Sequence, residues 1–285
     1  MRNIRTSKTK LRMRSTLGFG LILGLSACAT NANLSTGPRS VSIENGATPA
    51  AAVLSPNMNS LIQRTSPTYV TLIITESTKS SGARKNEILA KALTSGSGFI
   101  IDPAGYVLTA GHVALKLGNS VEARNSNGKI YNGKVIGVQR SPDIALLKLS
   151  NFSGTAVSPN STPCLAKGSA VFSLGKPHAK GDTARIGQMQ SMSFGRPVSY
   201  NGFGYPDAMV VRMSTRKGES GGPLFNQRAQ LSGMMVSTLS DGKGHSLNLA
   251  HAISADMLAK FACSKFSCSS SWRRLAKSSY RNCKA

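Results

Sequence analysis

From Tyr69 onward the chain alternates between short apolar stretches and clusters of Gly, Pro, Asn and Asp. The run Tyr69-Val70-Thr71-Leu72-Ile73-Ile74 is rich in β-branched residues, the composition of a strand. Gly98–Ile101 and Tyr106–Thr109 flank Asp102-Pro103-Ala104-Gly105, a set of turn formers, and this pattern predicts a hairpin. Further strands are predicted at Ser120–Arg124, Val135–Val138, Ile144–Leu149, Ala170–Leu174, Ala184–Met192, Ala208–Arg212, Gln230–Val236 and Leu249–Ile253. Ser254–Phe261 opens with a capping residue and predicts one closing helix. No stretch repeats at a fixed period. Short strands at regular spacing with glycine-containing turns predict an all-β sandwich or barrel.

The first 65 residues follow another pattern. Arg2, Arg5, Lys8, Lys10, Arg12 and Arg14 precede an uncharged apolar run, Leu17–Ala27, with no acid among the first 14 residues. That run is well short of the ~20 residues a membrane-spanning helix needs. A basic start, a short apolar stretch and small residues at its end predict a secretory signal over residues 1–27. Leu25-Ser26-Ala27-Cys28 resembles a bacterial lipobox, whose cysteine is lipidated and becomes the first mature residue. A plain signal peptide with a chance cysteine is the alternative. With Ala29 rather than Asp after Cys28, the lipobox resemblance implies a Gram-negative outer membrane, with the protein facing the periplasm. Buried acyl chains contribute ~0.8 kcal/mol per CH₂, so a multiply acylated Cys28 would hold the protein on a membrane. The region that follows is rich in Ala, Ser, Asn, Thr and Pro without periodicity, and residues 28–65 are expected to be a flexible tether. The folded domain is expected over 66–262, with a basic, cysteine-containing tail over 263–285.

Composition narrows the class of molecule. The 285 residues are 40% hydrophobic and 16% charged, ordinary for a globular chain and unlike a disordered or collagen-like one. The formal charge is +24, and losing the six basic residues of the leader still leaves +18. Such a surplus draws a protein to anionic surfaces. No basic motif interleaved with aromatics is present, and an exported chain meets little nucleic acid, so none is expected as a partner. Anionic lipid or cell-wall polymer is the favoured partner, against a diffusely solvated surface with no partner. After Cys28, Cys164, Cys263, Cys268 and Cys283 are disulfide candidates, and export permits them to oxidise. Four cysteines allow three pairings. Cys263 and Cys268 are near enough for a small loop, in which case Cys164 and Cys283 would staple the tail to the body. No Cys-x-x-Cys pair and no adjacent His favours zinc.

Three blocks carry candidate chemistry. They are Thr109-Ala110-Gly111-His112 at a strand end, Asp143-Ile144-Ala145-Leu146-Leu147 opening an apolar strand, and Gly218-Glu219-Ser220-Gly221-Gly222-Pro223-Leu224. Each alone reads as ordinary structure; their joint occurrence in the order His, Asp, Ser does not. A serine hydroxyl attacks a peptide only when an imidazole accepts its proton, and a buried carboxylate orients that imidazole. Glycines beside the serine let backbone N–H groups face the developing oxyanion, and Gly218 and Ser220 would supply them. An α/β-hydrolase would run Ser, acid, His, with alternating strands and helices, and neither feature is present.

On Gly96-Ser97-Gly98-Phe99-Ile100-Ile101 together with these three blocks and His251-Ala252-Ile253-Ser254, the chain resembles the chymotrypsin-fold serine proteases. It is most similar to the protease domain of the bacterial Do-like (HtrA) group over about residues 66–261. The resemblance implies an all-β fold of two perpendicular six-stranded β-barrels with a short C-terminal helix and the site in the cleft between them. It implies an endopeptidase acting on protein or peptide through His112, Asp143 and Ser220 with an acyl-enzyme, and no metal or cofactor. Glu219 departs from the Asn of the Do-like pattern and the Asp of digestive enzymes, and either a salt bridge to Arg216 or Lys217 or a disturbed oxyanion loop is expected. No Ile-Val-Gly-Gly activation sequence and no C-terminal peptide-binding (PDZ) module are seen, so neither zymogen activation nor cage assembly is expected. Ser214, Ser237 and His251 are expected around the specificity pocket, with an inward-facing place in the barrel as the favoured alternative for His251. Ser214 stands where an Asp would make a trypsin-like pocket, so a small apolar or an acidic side chain is expected instead. Asp182, Asp207 and Asp241 lie beside Gly or Pro and read as turn residues. The rival reading is an inactive protease-fold lipoprotein that binds anionic polymer through its basic surface.

Overall fold

In the first half of the chain, six strands, several of them buried on both faces, close a sheet upon itself. The computed structural model describes residues 40–45, 49–77, 92–160, 164–178, 181–241 and 243–279. Strands β2 (Tyr69–Thr75), β3 (Ala92–Asp102), β4 (Tyr106–Ala110), β5 (Ser120–Arg124), β6 (Ile130–Gln139) and β7 (Ile144–Leu149) form a closed barrel in the order β2-β3-β4-β7-β6-β5. Every pairing in it is antiparallel, and β5 returns to β2 to remove the sheet edges. In β6, Tyr131, Val135 and Gly137 are buried while Asn132, Lys134 and Ile136 point out, the period-two pattern of a strand covered on one face. Phe99, Ile100, Leu108, Ile144 and Leu146 are fully buried.

The second barrel uses β8 (Ala170–Gly175), β9 (Asp182–Ser191), β12 (Met209–Arg212), β13 (Pro223–Asn226), β14 (Leu231–Ser240) and β15 (Ser246–Ser254), closed by pairing of β8 with β9. Phe172 and Phe225 pack at 5.2 Å between ring centroids. A second apolar cluster, with Met189, Met209, Val211, Met213 and Met235, fills the part of this barrel behind β12 and β14. Methionine suits such an irregular space because its unbranched thioether adapts to it. Between β9 and β12 the chain makes an excursion that carries a two-stranded hairpin, β10 (Val198–Tyr200) and β11 (Phe203–Tyr205).

Both barrels meet along one continuous core, and a buried polar contact joins them. The Tyr69 hydroxyl and the Arg124 guanidinium from the first barrel each donate to Asp182 at the start of β9, at 3.4 Å. Asp182, expected as a turn residue, is buried and opens β9 as the acceptor of this contact.

The ends of the chain also differ from expectation. The segment expected as a tether is folded from residue 41: β1 (Val41–Asn45) pairs in parallel with β9, and α1 (Pro49–Leu54) and α2 (Met58–Thr65) follow. Leu54, Met58 and Leu61, spaced by four and three residues, place a buried stripe along these short helices. The small polar residues around them hide that stripe from a reading of composition. Helix α4 (Ala255–Cys263) follows β15 as expected, but α5 (Ser270–Lys277) extends the tail and packs on α4 through Trp272 and Leu275. Cys263, at the end of α4, and Cys268, in the connection before α5, form a disulfide. Cys164 is disulfide-bonded as well. The expected signal, Cys28 and Cys283 lie outside the described residues. No helix among those residues is long and apolar enough to cross a membrane.

Candidate active site

His112 sits on a single helical turn, α3 (Gly111–Ala114), that starts where β4 ends. The turn approaches Asp143 so closely that a Cβ on Gly111 would lie 2.9 Å from Asp143 Oδ1, which explains a glycine beside the histidine. Asp143 is fully buried in the turn before β7. Its Oδ1 accepts the His112 backbone N–H at 2.8 Å, and its Oδ2 accepts from His112 Nδ1 at 2.7 Å. An ionised carboxylate only accepts, so this contact puts the imidazole proton on Nδ1 and leaves Nε2 as a base.

A third donor comes from the second barrel. The Tyr200 hydroxyl donates to Asp143 Oδ2 and lies 3.3 Å from His112 Nδ1. Burial, then the Asp143 charge, pushes the phenol far above its ordinary range, so it stays protonated as a donor. The hairpin that carries Tyr200 is tied down on both sides. Asp143 N–H donates to Gly204 O at 2.8 Å, and Gly204 N–H donates to Arg140 O at 2.9 Å. Arg140 stacks over Phe203 at 5.1 Å.

Ser220 lies across the cleft, on the loop leading into β13. The backbone at Gly221 packs so tightly on Thr109 and Ala110, at the end of β4, that a Cβ there would lie 3.0 Å from Ala110 N. The Ser220 hydroxyl donates to Val236 O at 3.2 Å and makes no hydrogen bond to His112. The loop around it has its carbonyls committed. Arg216 O accepts from Glu219 N–H (3.2 Å), Lys217 O from His178 N–H (3.0 Å), Glu219 O from Gly222 N–H (3.0 Å) and Ser220 O from Ser97 N–H (2.9 Å). Gly218 O accepts from the buried Ser97 hydroxyl at 2.8 Å. In a trans peptide the N–H points opposite the preceding carbonyl. Anchoring Lys217 O and Glu219 O therefore turns the amides of Gly218 and Ser220 the other way. Among the described residues neither amide has a protein acceptor. Gly218 adopts φ +97°, and a Cβ there would lie 2.3 Å from Lys176 O, so only glycine fits.

Glu219 binds neither of the side chains expected for it. It is buried, and its partner is Arg185, whose Nε donates to Oε1 at 2.6 Å; Arg216 contributes only its backbone N–H, to Oε2 at 2.8 Å. The Arg216 and Lys217 side chains are exposed.

A small cleft beside Ser220 is lined by Thr215, Arg216, Met235, Val236, Ser237 and Thr238. The Thr215 and Thr238 hydroxyls meet at 2.5 Å. Of the residues expected around the pocket, Ser237 lines it, while Ser214 is exposed and outside its lining. His251 is buried, facing Tyr205 at 2.6 Å and Ser237 at 3.3 Å through Nδ1, with the Phe194 ring at 4.3 Å. Burial pulls its pKa down to about 4, so it is neutral at pH 7. No group of three or more His, Cys, Asp or Glu among the described residues is placed to hold a metal ion. Tyr200, Ser97 and Arg185 were not singled out by sequence reasoning. Ser97 stood in a recognised motif, but nothing local marked any of the three, since the partners named here for Arg185, Tyr200 and Ser97 (Glu219, Asp143 and Gly218) are 34, 57 and 121 residues away.

Residues 96–234 match the trypsin-like peptidase domain family. Among curated proteins, Protease Do-like 5, chloroplastic, of Arabidopsis thaliana is 28% identical over 221 residues, 72% of this chain and 67% of that protein. The periplasmic pH-dependent serine endoprotease DegQ of Escherichia coli is 32% identical over 164 residues, 57% of this chain, which spans only 35% of its length. In fold, the Rv3671c protease of M. tuberculosis, in its inactive form, superposes with a TM-score of 0.58 at 21% identity, over 77% of this chain and 98% of that one. Residues 96–234 are thus similar to a trypsin-like peptidase domain, the fold is a chymotrypsin-like double barrel, and the chain is similar to the Do-like serine proteases.

Proposed function

We propose that the protein is a serine endopeptidase with Ser220 as nucleophile, His112 as general base and acid, and Asp143 as the group that orients His112. The observation that carries this reading is the buried Asp143 carboxylate on His112 Nδ1, facing a loop whose Gly218 and Ser220 amides lack protein acceptors. In the first step the Ser220 hydroxyl leaves Val236 O for His112 Nε2. Its oxygen then bonds to the scissile carbonyl carbon while Nε2 takes the proton. The carbonyl oxygen becomes an oxyanion that accepts from the two amides, each worth roughly 3–4 kcal/mol to the transition state. The C–N bond breaks as His112 returns the proton to the leaving amine. Water attacks the acyl-enzyme with the same base, releasing the acid and restoring Ser220.

The cleft supports a small side chain at the cleaved residue, because the paired Thr215 and Thr238 hydroxyls narrow it. Glu219, the carboxylate that also lines the cleft among the described residues, is bound to Arg185 and so is not free to attract Lys or Arg. The envelope is the proposed location, with the leader and a lipidated Cys28 as anchor. The inactive-lipoprotein reading is not favoured, since the relatives are named as proteases.

The test is labelling by a fluorophosphonate probe together with a peptide-library digest. Wild type is expected to label and to cleave after small residues, and Ser220→Ala to do neither. A folded wild type that never labels, or equal labelling of Ser220→Ala, refutes the assignment.

A further inference from the structure

Glu219 precedes the nucleophile, yet its side chain takes no part in the steps above. It is 4% exposed, and one carboxylate oxygen closes the turn 216–219 by accepting the Arg216 N–H. The other oxygen is held by Arg185 Nε at 2.6 Å. Arg185 is itself buried, on β9, and its Nη1 donates to Glu44 Oε2 at 2.5 Å. Glu44 stands on β1, directly opposite Arg185 in the parallel register. One guanidinium thus joins the amino-terminal strand, the wall of the second barrel and the loop that presents the oxyanion amides.

A buried carboxylate is tolerated only while paired. Burial pushes Glu219 upward and the Arg185 charge opposes it. Without the guanidinium, Glu219 either takes a proton or turns toward solvent. Either change weakens the clip on Arg216 N–H and frees the turn that sets Gly218 at positive φ.

We propose that Arg185 is a positioning residue for hydrolysis, clamping Glu219 so that the Gly218 and Ser220 amides stay aimed at the oxyanion, and that Glu44 on β1 completes the clamp. Docking of the amino-terminal strand is thereby coupled to the arrangement of the nucleophile loop. The proposal rests on the reading of Ser220 as nucleophile.

The test compares full-length Arg185→Met, Glu44→Gln and the double variant Arg185→Met/Glu219→Gln with wild type. Peptide kinetics and hydrogen exchange of the amides in 216–222 are both measured on protein shown to be folded by circular dichroism. Arg185→Met is expected to lower kcat about 10- to 100-fold, the scale of a small misplacement, with KM changed by less than about threefold, and to speed exchange in the loop. Glu44→Gln is expected to change both in the same direction and less. The double variant is expected to regain part of the exchange protection and of kcat, because it leaves no unpaired carboxylate. Glu44→Gln alters a half-buried side chain, so it keeps the question open to a result if Arg185→Met does not fold. Unchanged kcat and unchanged exchange in the folded variants overturn the proposal, as does a loss that merely follows the unfolded fraction. A wild type that cleaves nothing defeats the nucleophile reading alone, and the exchange comparison still decides the clamp.

Discussion

Asp143 takes hydrogen bonds from the backbone and ring of His112 and from the phenol of Tyr200. The phenol restrains the carboxylate from the side opposite the barrel that carries it. A hydrogen bond to a charged group contributes about 1.5–3 kcal/mol, so losing it while the ring stays is expected to misplace the pair without unfolding the hairpin. Tyr200→Phe should lower kcat roughly 10-fold with KM nearly constant in steady-state kinetics, the signature of an interaction used in the transition state. His251 offers a pH test. Its folded pKa is about 4 against the ordinary 6.5, set by burial first, with Asp207 opposing and Arg196 assisting. The unfolded chain therefore takes up this proton before the folded one does. The resulting stability is present above about pH 6.5 and is lost as pH falls toward 4. Urea midpoints between pH 7 and 4 should fall less in His251→Asn than in wild type.

At the scale of elements, the loop from Arg216 to Ser220 gets its shape from its neighbours. Ser97 on β3 reaches from the first barrel and holds two of its carbonyls, one through its amide and one through its hydroxyl. Removing the hydroxyl leaves Gly218 O buried and unpaired, a cost of about 1–3 kcal/mol. Ser97→Ala is expected to lose stability of that order in urea denaturation and to lower kcat more than it raises KM. A Ser97→Ala protein with wild-type kcat would mean that the loop keeps its shape without this contact. The hairpin β10–β11 is the second such device, bringing Tyr200 and Phe203 from one barrel to the His–Asp pair of the other.

Across the whole molecule, the barrels, the amino-terminal helices and the terminal helix pair share one buried apolar cluster. Such continuity favours a single cooperative transition. Trp272 is the one tryptophan, buried on α5, and its fluorescence reports on the terminal helices. Phe172→Ala in the second barrel is expected to cost about 3–5 kcal/mol. Tryptophan fluorescence and far-ultraviolet circular dichroism should shift together in that variant. Separate transitions would divide the molecule into independent units.

Local pattern was enough for most of the barrel strands, the hairpin at Asp102–Gly105 and the helix after Ser254, because turn chemistry and capping act within a few residues; the short strands β1, β10, β11 and β13 carried too few residues to show a pattern. The order of His112, Asp143 and Ser220 likewise sufficed to propose hydrolysis. The partners of these residues were out of reach. Glu219 pairs with Arg185 and not with its neighbours because only closure of the barrel brings β9 behind the loop. Tyr200 meets Asp143, Ser97 meets Gly218 and Glu44 meets Arg185 for the same reason: each contact spans 57 to 141 residues. Pairings at such separations are selected by the packing of two closed barrels against each other, and no local propensity carries that information.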